Sequence, residues 1–254
     1  MKALLTVFTI HIVIAFSVAG QNPVNKGKLL IKKINDQFID LDSLQRSHFA
    51  DGDIEDSLSR QITSTIKKFS KYVFSFQHPD EFSELEIVKS ADDQFCLISW
   101  DTRMGGTEID YAAMAVYKTP TGIKSEMLFR ILGKDDTDNV KMKFEKITTI
   151  KDSNYHKIYL AHGYGKGGTG LAERQLRAFT IINGRLAEPS IFPKKENCLS
   201  VGFDVSRLKE NQEIPEIRIL QEAKLIRVPM PTDYGGFNGK WLNLAFNGQR
   251  FVKQ

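Results

Sequence analysis

The chain has 254 residues, 41% of them apolar and 26% charged, the balance of an ordinary globular protein with one large or two small domains. Its formal charge of +4 is mildly basic, and no dense Lys/Arg stripe with interleaved aromatics accompanies it, so nucleic acid is not an expected partner. Two cysteines are too few for a disulfide-stapled mini-scaffold; in an exported protein Cys96 and Cys198 permit one disulfide, and both also suit burial as free thiols.

Residues 1–20 read as a secretory signal peptide. Lys2 is a short positive start, an uncharged apolar run follows from Ala3, and Ser17-Val18-Ala19-Gly20 supplies small residues for cleavage before Gln21 or before Gly20. An uncleaved anchor is the alternative, since the run is close to the roughly 20 residues that span a bilayer. Cleavage removes only Lys2, so the formal charge falls from +4 to +3. The expected address is secreted or periplasmic, with no stable membrane insertion after cleavage.

Residues 21–79 read as a helical N-terminal segment. Leu30, Ile34, Phe38, Leu41 and Leu44 recur at steps of four and three, one face of a helix. Lys26, Lys28, Lys32 and Lys33 fit its solvated side. A second helix opens at a capping Asp53, with Glu55 and Asp56 in its first turn and Lys67, Lys68 and Lys71 toward its end. Its apolar stripe is Leu58, Ile62, Ile66, Phe69 and Val73. The short link Phe49-Ala50-Asp51-Gly52 makes the pair a hairpin, and Pro79 ends the helical region.

From residue 80 the apolar period changes from 3.6 to 2, and residues 80–254 read as an antiparallel β-rich domain. Leu85–Lys89 and Phe95–Asp101 flank one turn, Ala113–Lys118 and Ile123–Ile131 another, Lys141–Lys151 and Tyr155–His162 a third. Asn183-Gly184 and Asn247-Gly248 each lie between β-favouring runs, the pair a type I′ hairpin turn prefers. Leu199–Asp204 and Ile214–Val228 supply further strands. The fold class is therefore α+β: an N-terminal helical hairpin, then a large antiparallel β-rich region, with barrel, sandwich and partial propeller all open. Two weak echoes, Ile87–Phe95 with Ile147–Tyr155 and Phe179–Gly184 with Leu244–Gly248, fit either degenerate repeats or ordinary successive hairpins.

The stretch Phe95–Thr107 is the first candidate for function. A strand runs into a polar turn carrying Trp100, Asp101, Thr102, Arg103 and Thr107, with Glu108 and Asp110 just after. Asp101 and Arg103 pair with each other or present opposite charges to a ligand, and Gly105-Gly106 suits a tight turn or an anion-facing backbone. Three carboxylates within ten residues also admit an acid–base pair. The glycine-rich stretch His162–Gly170 fails the tests for a phosphate loop, having no Gly-Lys-Ser/Thr ending and no parallel β-α-β context. It reads as a flexible hairpin loop whose reachable groups are Tyr164 and Lys166. Tyr234–Gly239 is a second such loop. His48, His78, His156 and His162 have no metal-ligand spacing; His156 and His162, on one strand, would lie roughly 20 Å apart. No catalytic residue, metal or cofactor is assigned.

The pattern S-W-D-T-x-x-G-G-T within Phe95–Thr107, with the closing F-N-G-x-x-F hairpin at Phe246–Phe251, resembles a group of uncharacterised secreted bacterial β-rich proteins. The resemblance implies an exported β-rich protein and implies no activity. The leading expectation is a non-enzymatic binding protein for a glycan or an envelope protein, with ligand contacts at Trp100, Asp101, Thr102, Arg103, Thr107, Glu108, Asp110, Tyr164 and Lys166. The alternatives are a cell-envelope hydrolase using Asp101, Glu108 or Asp110, and a structural envelope component whose helices pair with another chain.

Overall fold

The computed structural model describes residues 22–47, 52–76, 83–105, 108–128, 141–168, 170–209, 212–220 and 224–254. The expected leader at 1–20, the helix link at 49–51, His48, His78, Pro79 and Thr107 lie outside the described residues.

Helix α1 spans Pro23–Arg46. Asn22 caps it, its Oδ1 accepting the Val24 N–H at 3.0 Å, and Pro23 opens it where a missing N–H costs nothing. Helix α2 spans Gly52–Phe69, with Asp53 and Glu55 in its first turn and Lys67 and Lys68 in its last, both favoured by the helix dipole. A 3-10 turn continues it from Ser70 to Ser75. Ile31, Ile34, Phe38 and Leu41 of α1 and Ile62, Ile66 and Phe69 of α2 are buried in one cluster, so both apolar stripes are used within the chain's own fold.

Thirteen strands among the described residues form three antiparallel sheets, an α+β fold with no closed barrel. The first sheet is a meander of β1 (Glu86–Lys89), β2 (Phe95–Asp101), β3 (Tyr111–Thr119) and β4 (Gly122–Met127). The second is β5 (Lys143–Lys151), β6 (Lys157–Lys166), β7 (Leu171–Ile182) and β8 (Arg185–Ala187). Strand β9 (Cys198–Asp204) also pairs with β7, along Leu171–Arg177. The third sheet is β10 (Arg218–Leu220), β11 (Leu225–Pro231), β12 (Phe237–Phe246) and β13 (Phe251–Lys253).

Side-chain alternation stacks these units in layers. On β2, Cys96, Ile98 and Trp100 face the helices, while Phe95 and Leu97 face the second sheet. The second sheet meets them with Phe144, Tyr159, Ala161 and Phe179. Its other face, with Leu160, Leu176 and Phe203, packs against Ile226, Val228 and Leu244 of the third sheet. Strand β2 is thus buried on both faces, which is why its sequence reads as a continuous apolar run rather than a half-polar alternation. Buried Ser99 on β2 accepts the Phe144 N–H at 3.1 Å, locking the first two sheets together.

Several expectations change in detail. Strand β6 runs on to Lys166, so His162–Lys166 is paired strand and not loop. Gly163 serves close packing there: a Cβ would meet the Met142 Cβ at 3.1 Å. Phe237–Gly239 likewise begins β12. His156 precedes β6, its ring against Asp152, so the two histidines do not share a strand. Cys96, buried under the helices, and Cys198, at the start of β9, are free thiols. The two sequence echoes fall on equivalent hairpins, β1–β2 with β5–β6 and β7–β8 with β12–β13. Pro229 and Pro231 lie in β11 beyond the reach of its partner β10, where a missing N–H breaks no ladder. No helix among the described residues is long and apolar enough to cross a membrane.

Candidate functional site

The turn after β2 is bound up with its own protein. Trp100 is 2% exposed, inside the helix-facing cluster. Thr102 is equally buried; its N–H donates to the Asp110 carbonyl at 2.8 Å and its hydroxyl to Asp110 Oδ2 at 2.7 Å. The other Asp110 oxygen takes Lys141 Nζ at 2.8 Å. Gly105 fits because a Cβ there would lie 2.2 Å from the Glu108 carbonyl.

Arg103 fastens this turn to α1. Its guanidinium meets Asp101 Oδ2 at 2.9 Å, Glu84 Oε2 at 2.8 Å and Asp42 Oδ1 at 3.2 Å, and lies 5.6 Å over the Phe38 ring. Its carbonyl accepts Gln45 Nε2 at 2.7 Å. Burial opposes the charge of Arg103, but Asp101 and Asp42 outweigh it and raise the guanidinium further above its ordinary value. The residue holds a positive φ of 62°, which an arginine adopts only when its surroundings demand it. Asp101 and Asp110 therefore each carry a cation plus a second donor already.

The two stretches singled out from sequence do come together. The Ile109 N–H donates to the Lys166 carbonyl at 3.3 Å, and a Cβ on Gly168 would lie 3.5 Å from Glu108 Oε1. Lys166 is exposed. Tyr164 pairs across the sheet with Arg174, whose guanidinium lies 4.6 Å over its ring. The phenol of Tyr111 is pushed up, first by burial and then by the charge of Asp101 and the neighbouring Tyr164 and Glu145.

Beside Tyr164, and outside the residues expected from sequence, is a cleft of about 230 Å³ lined by Glu145, Lys146, His162, Arg174, Gln175 and Glu216. Arg174 meets Glu145 at 2.8 Å and Glu216 at 3.7 Å. Three of these groups keep a buried polar atom with no partner: His162 Nε2, Arg174 Nε and Gln175 Oε1. Buried polar atoms ordinarily have a partner, and a small turn of these side chains toward the cleft would let water or a ligand supply one. Two cations face two carboxylates, so the lining is close to neutral. Turned toward the cleft, the three atoms would offer one fixed donor, one acceptor and a ring nitrogen that can be either. No group of three or more metal-ligating side chains occurs among the described residues. Sequence reasoning missed the cleft because Glu145 sits at a register shift between β5 and β6, and because the strand was expected to end, and a loop to begin, at His162.

His162 gives this cleft a pH signature. Burial first, and then Lys146 and Arg174, push its imidazole down to about 4. The folded value lies below the unfolded one of about 6.5, so the unfolded chain binds more protons between them. The resulting contribution is fully present above pH about 6.5 and is lost as the pH falls toward about 4, by roughly 3 kcal/mol at most. Denaturant titrations at pH 7 and 4.5 should show a smaller pH dependence for His162→Gln than for the native chain. An unchanged dependence would show that His162 is not held neutral.

Comparison with protein-family models, curated proteins and solved structures finds no match to this chain.

Proposed function

We propose that this chain is a secreted or periplasmic, non-enzymatic binding protein that takes a neutral polar ligand, a glycan or a stretch of polypeptide. The observation that carries the reading is the cleft beside Tyr164, with its three unpartnered polar atoms and its balanced charge. A hydroxyl-rich sugar or a peptide group answers a donor, an acceptor and an adaptable ring nitrogen together, whereas an ion would leave the lining unbalanced. The cleft has room for one sugar ring or one side chain, so the rest of the ligand runs over the rim formed by Tyr164, Lys166 and Glu108. The Trp100–Asp110 turn then acts as the support of that rim, positioning Glu108 and Ile109 against Lys166. The leader-like residues 1–20 and the likeness of Phe95–Thr107 to secreted bacterial proteins support export.

Thermal unfolding against neutral oligosaccharides, N-acetylated oligosaccharides and mixed short peptides tests the proposal. A binder at about 100 times its dissociation constant adds roughly 2.7 kcal/mol, enough to raise the midpoint by several degrees. The increment should vanish in Gln175→Met, which leaves the Arg174 ion pairs in place. Stabilisation by no member of either class, or equal stabilisation of the variant, would refute the assignment.

A further inference from the structure

We infer that a second cleft, between the Pro193–Glu196 turn and β13, binds a phosphate- or sulfate-type oxyanion. Its volume is about 420 Å³, and it shares no lining residue with the cleft beside Tyr164. Four cations line it, Lys194, Lys195, Arg250 and Lys253, and no carboxylate does. None of the four is ion-paired among the described residues. By contrast, Arg103, Lys141, Arg174 and Arg177 each have a carboxylate partner. Four uncompensated positive charges around one cavity repel one another, and an anion removes that repulsion.

The backbone fixes where two of these lysines leave the chain. Lys194 and Lys195 have φ of 61° and 62°, the left-handed region, and the Glu196 N–H closes the turn on the Pro193 carbonyl at 3.3 Å. Those are the two central positions that favour Asn-Gly, which the chain itself uses at Asn183-Gly184 with φ of 51° and 68°. Two successive lysines there are strained, and strain of this kind collects at functional sites. The turn is braced from both sides: the Phe192 N–H donates to the Glu196 carbonyl at 3.1 Å, and the Phe251 N–H donates to the Ile191 carbonyl at 2.7 Å. Phe192 and Phe251, buried and stacked 5.7 Å apart, make a rigid apolar floor. An apolar floor under converging cations strengthens each charge–oxyanion hydrogen bond and leaves space for a sugar or other small carrier of the anion.

The test is isothermal titration of the purified protein with inorganic phosphate, sulfate and glucose 6-phosphate, with chloride at matched ionic strength and glucose as controls. Saturable binding of phosphate, sulfate or the sugar phosphate, absent for chloride and glucose, is expected. Binding by the sugar phosphate well beyond free phosphate would assign a phosphorylated sugar, and equal binding would assign the oxyanion alone. Arg250→Gln with Lys253→Gln should weaken binding about tenfold or more. Lys194→Asn with Lys195→Gly should do the same while leaving the fold at least as stable, because Asn-Gly suits that turn. Gln175→Met should bind the anion as the native chain does. The inference is overturned if no oxyanion binds saturably, or if both double variants bind within twofold of the native chain.

Discussion

Replacing Trp100 by alanine should lower the unfolding free energy by about 3–5 kcal/mol, the largest single effect expected in this chain. Trp100 ends the helix-facing row of β2 and is 2% exposed among Ile34, Phe38, Ile98, Ala112 and Met114. Its cross-strand partner is Ala112, so no large neighbour on β3 can swing in to fill the space. The cavity would open where α1 meets the first sheet, and the polar turn that follows would lose its footing. For a chain of this size the loss corresponds to a midpoint lower by roughly 10 °C. Trp100→Phe should recover most of it and should leave ligand binding intact. A tryptophan acting as a ligand platform would behave oppositely, with alanine tolerated by the fold and binding abolished. Denaturant unfolding of both variants separates the two, and a loss below about 1 kcal/mol for alanine would show that Trp100 is not a core residue.

The second large effect is at Arg103. Arg103→Leu leaves Asp42, Glu84 and Asp101 around a vacated site with no cation, and frees the Phe38 ring of its charged cover. Removing one partner of a well-buried charge cluster costs about 3–5 kcal/mol. Here the side chains are 25% to 37% exposed, so solvent screening reduces the expected loss to about 2–3 kcal/mol. Arg103→Lys keeps the charge but cannot serve three carboxylates with one planar fork, and should lose about half as much. Arg103→Gly also removes the cation but relieves the positive φ, and should be milder than leucine by about 1 kcal/mol. Rising salt should narrow the gap between native and Arg103→Leu proteins. A leucine variant as stable as the native chain at low salt would mean that the bracket contributes nothing.

These effects explain what could and could not be read from sequence. The helices were legible because a 3.6-residue stripe and charge placement agree, down to Lys67 and Lys68 at the end of α2, although α2 starts at Gly52 so that the expected cap Asp53 lies within its first turn, and the cap at Asn22 of α1 was not read from sequence. The hairpins were legible because Asn183-Gly184 and similar pairs specify turns locally. The stacking of three sheets was not, since a doubly buried strand such as β2 carries an apolar run that does not name its partners. The glycines of His162–Gly165 suggested a loop, although Gly163 is there to let β5 approach. At the turn after β2, the residue types were legible and their company was not. Arg103 finds Asp42, 61 residues away, and Asp110 finds Lys141, contacts that only the tertiary fold creates. The cleft beside Tyr164 depends on a register shift at Glu145 and on Glu216 arriving from the segment before β10, neither of which leaves a local mark.

In the proposed function the Trp100–Asp110 turn supports and the cleft beside Tyr164 binds. The most direct measurement is amide hydrogen exchange on the protein alone and with the most strongly stabilising oligosaccharide or peptide from the thermal panel. Slowed exchange is expected along Lys143–Lys146, His162–Lys166 and Glu173–Gln175, with no change at Asp101–Met104, none of which lines the cleft. Slowing confined to Asp101–Met104, with the cleft strands unaffected, would contradict the proposed function.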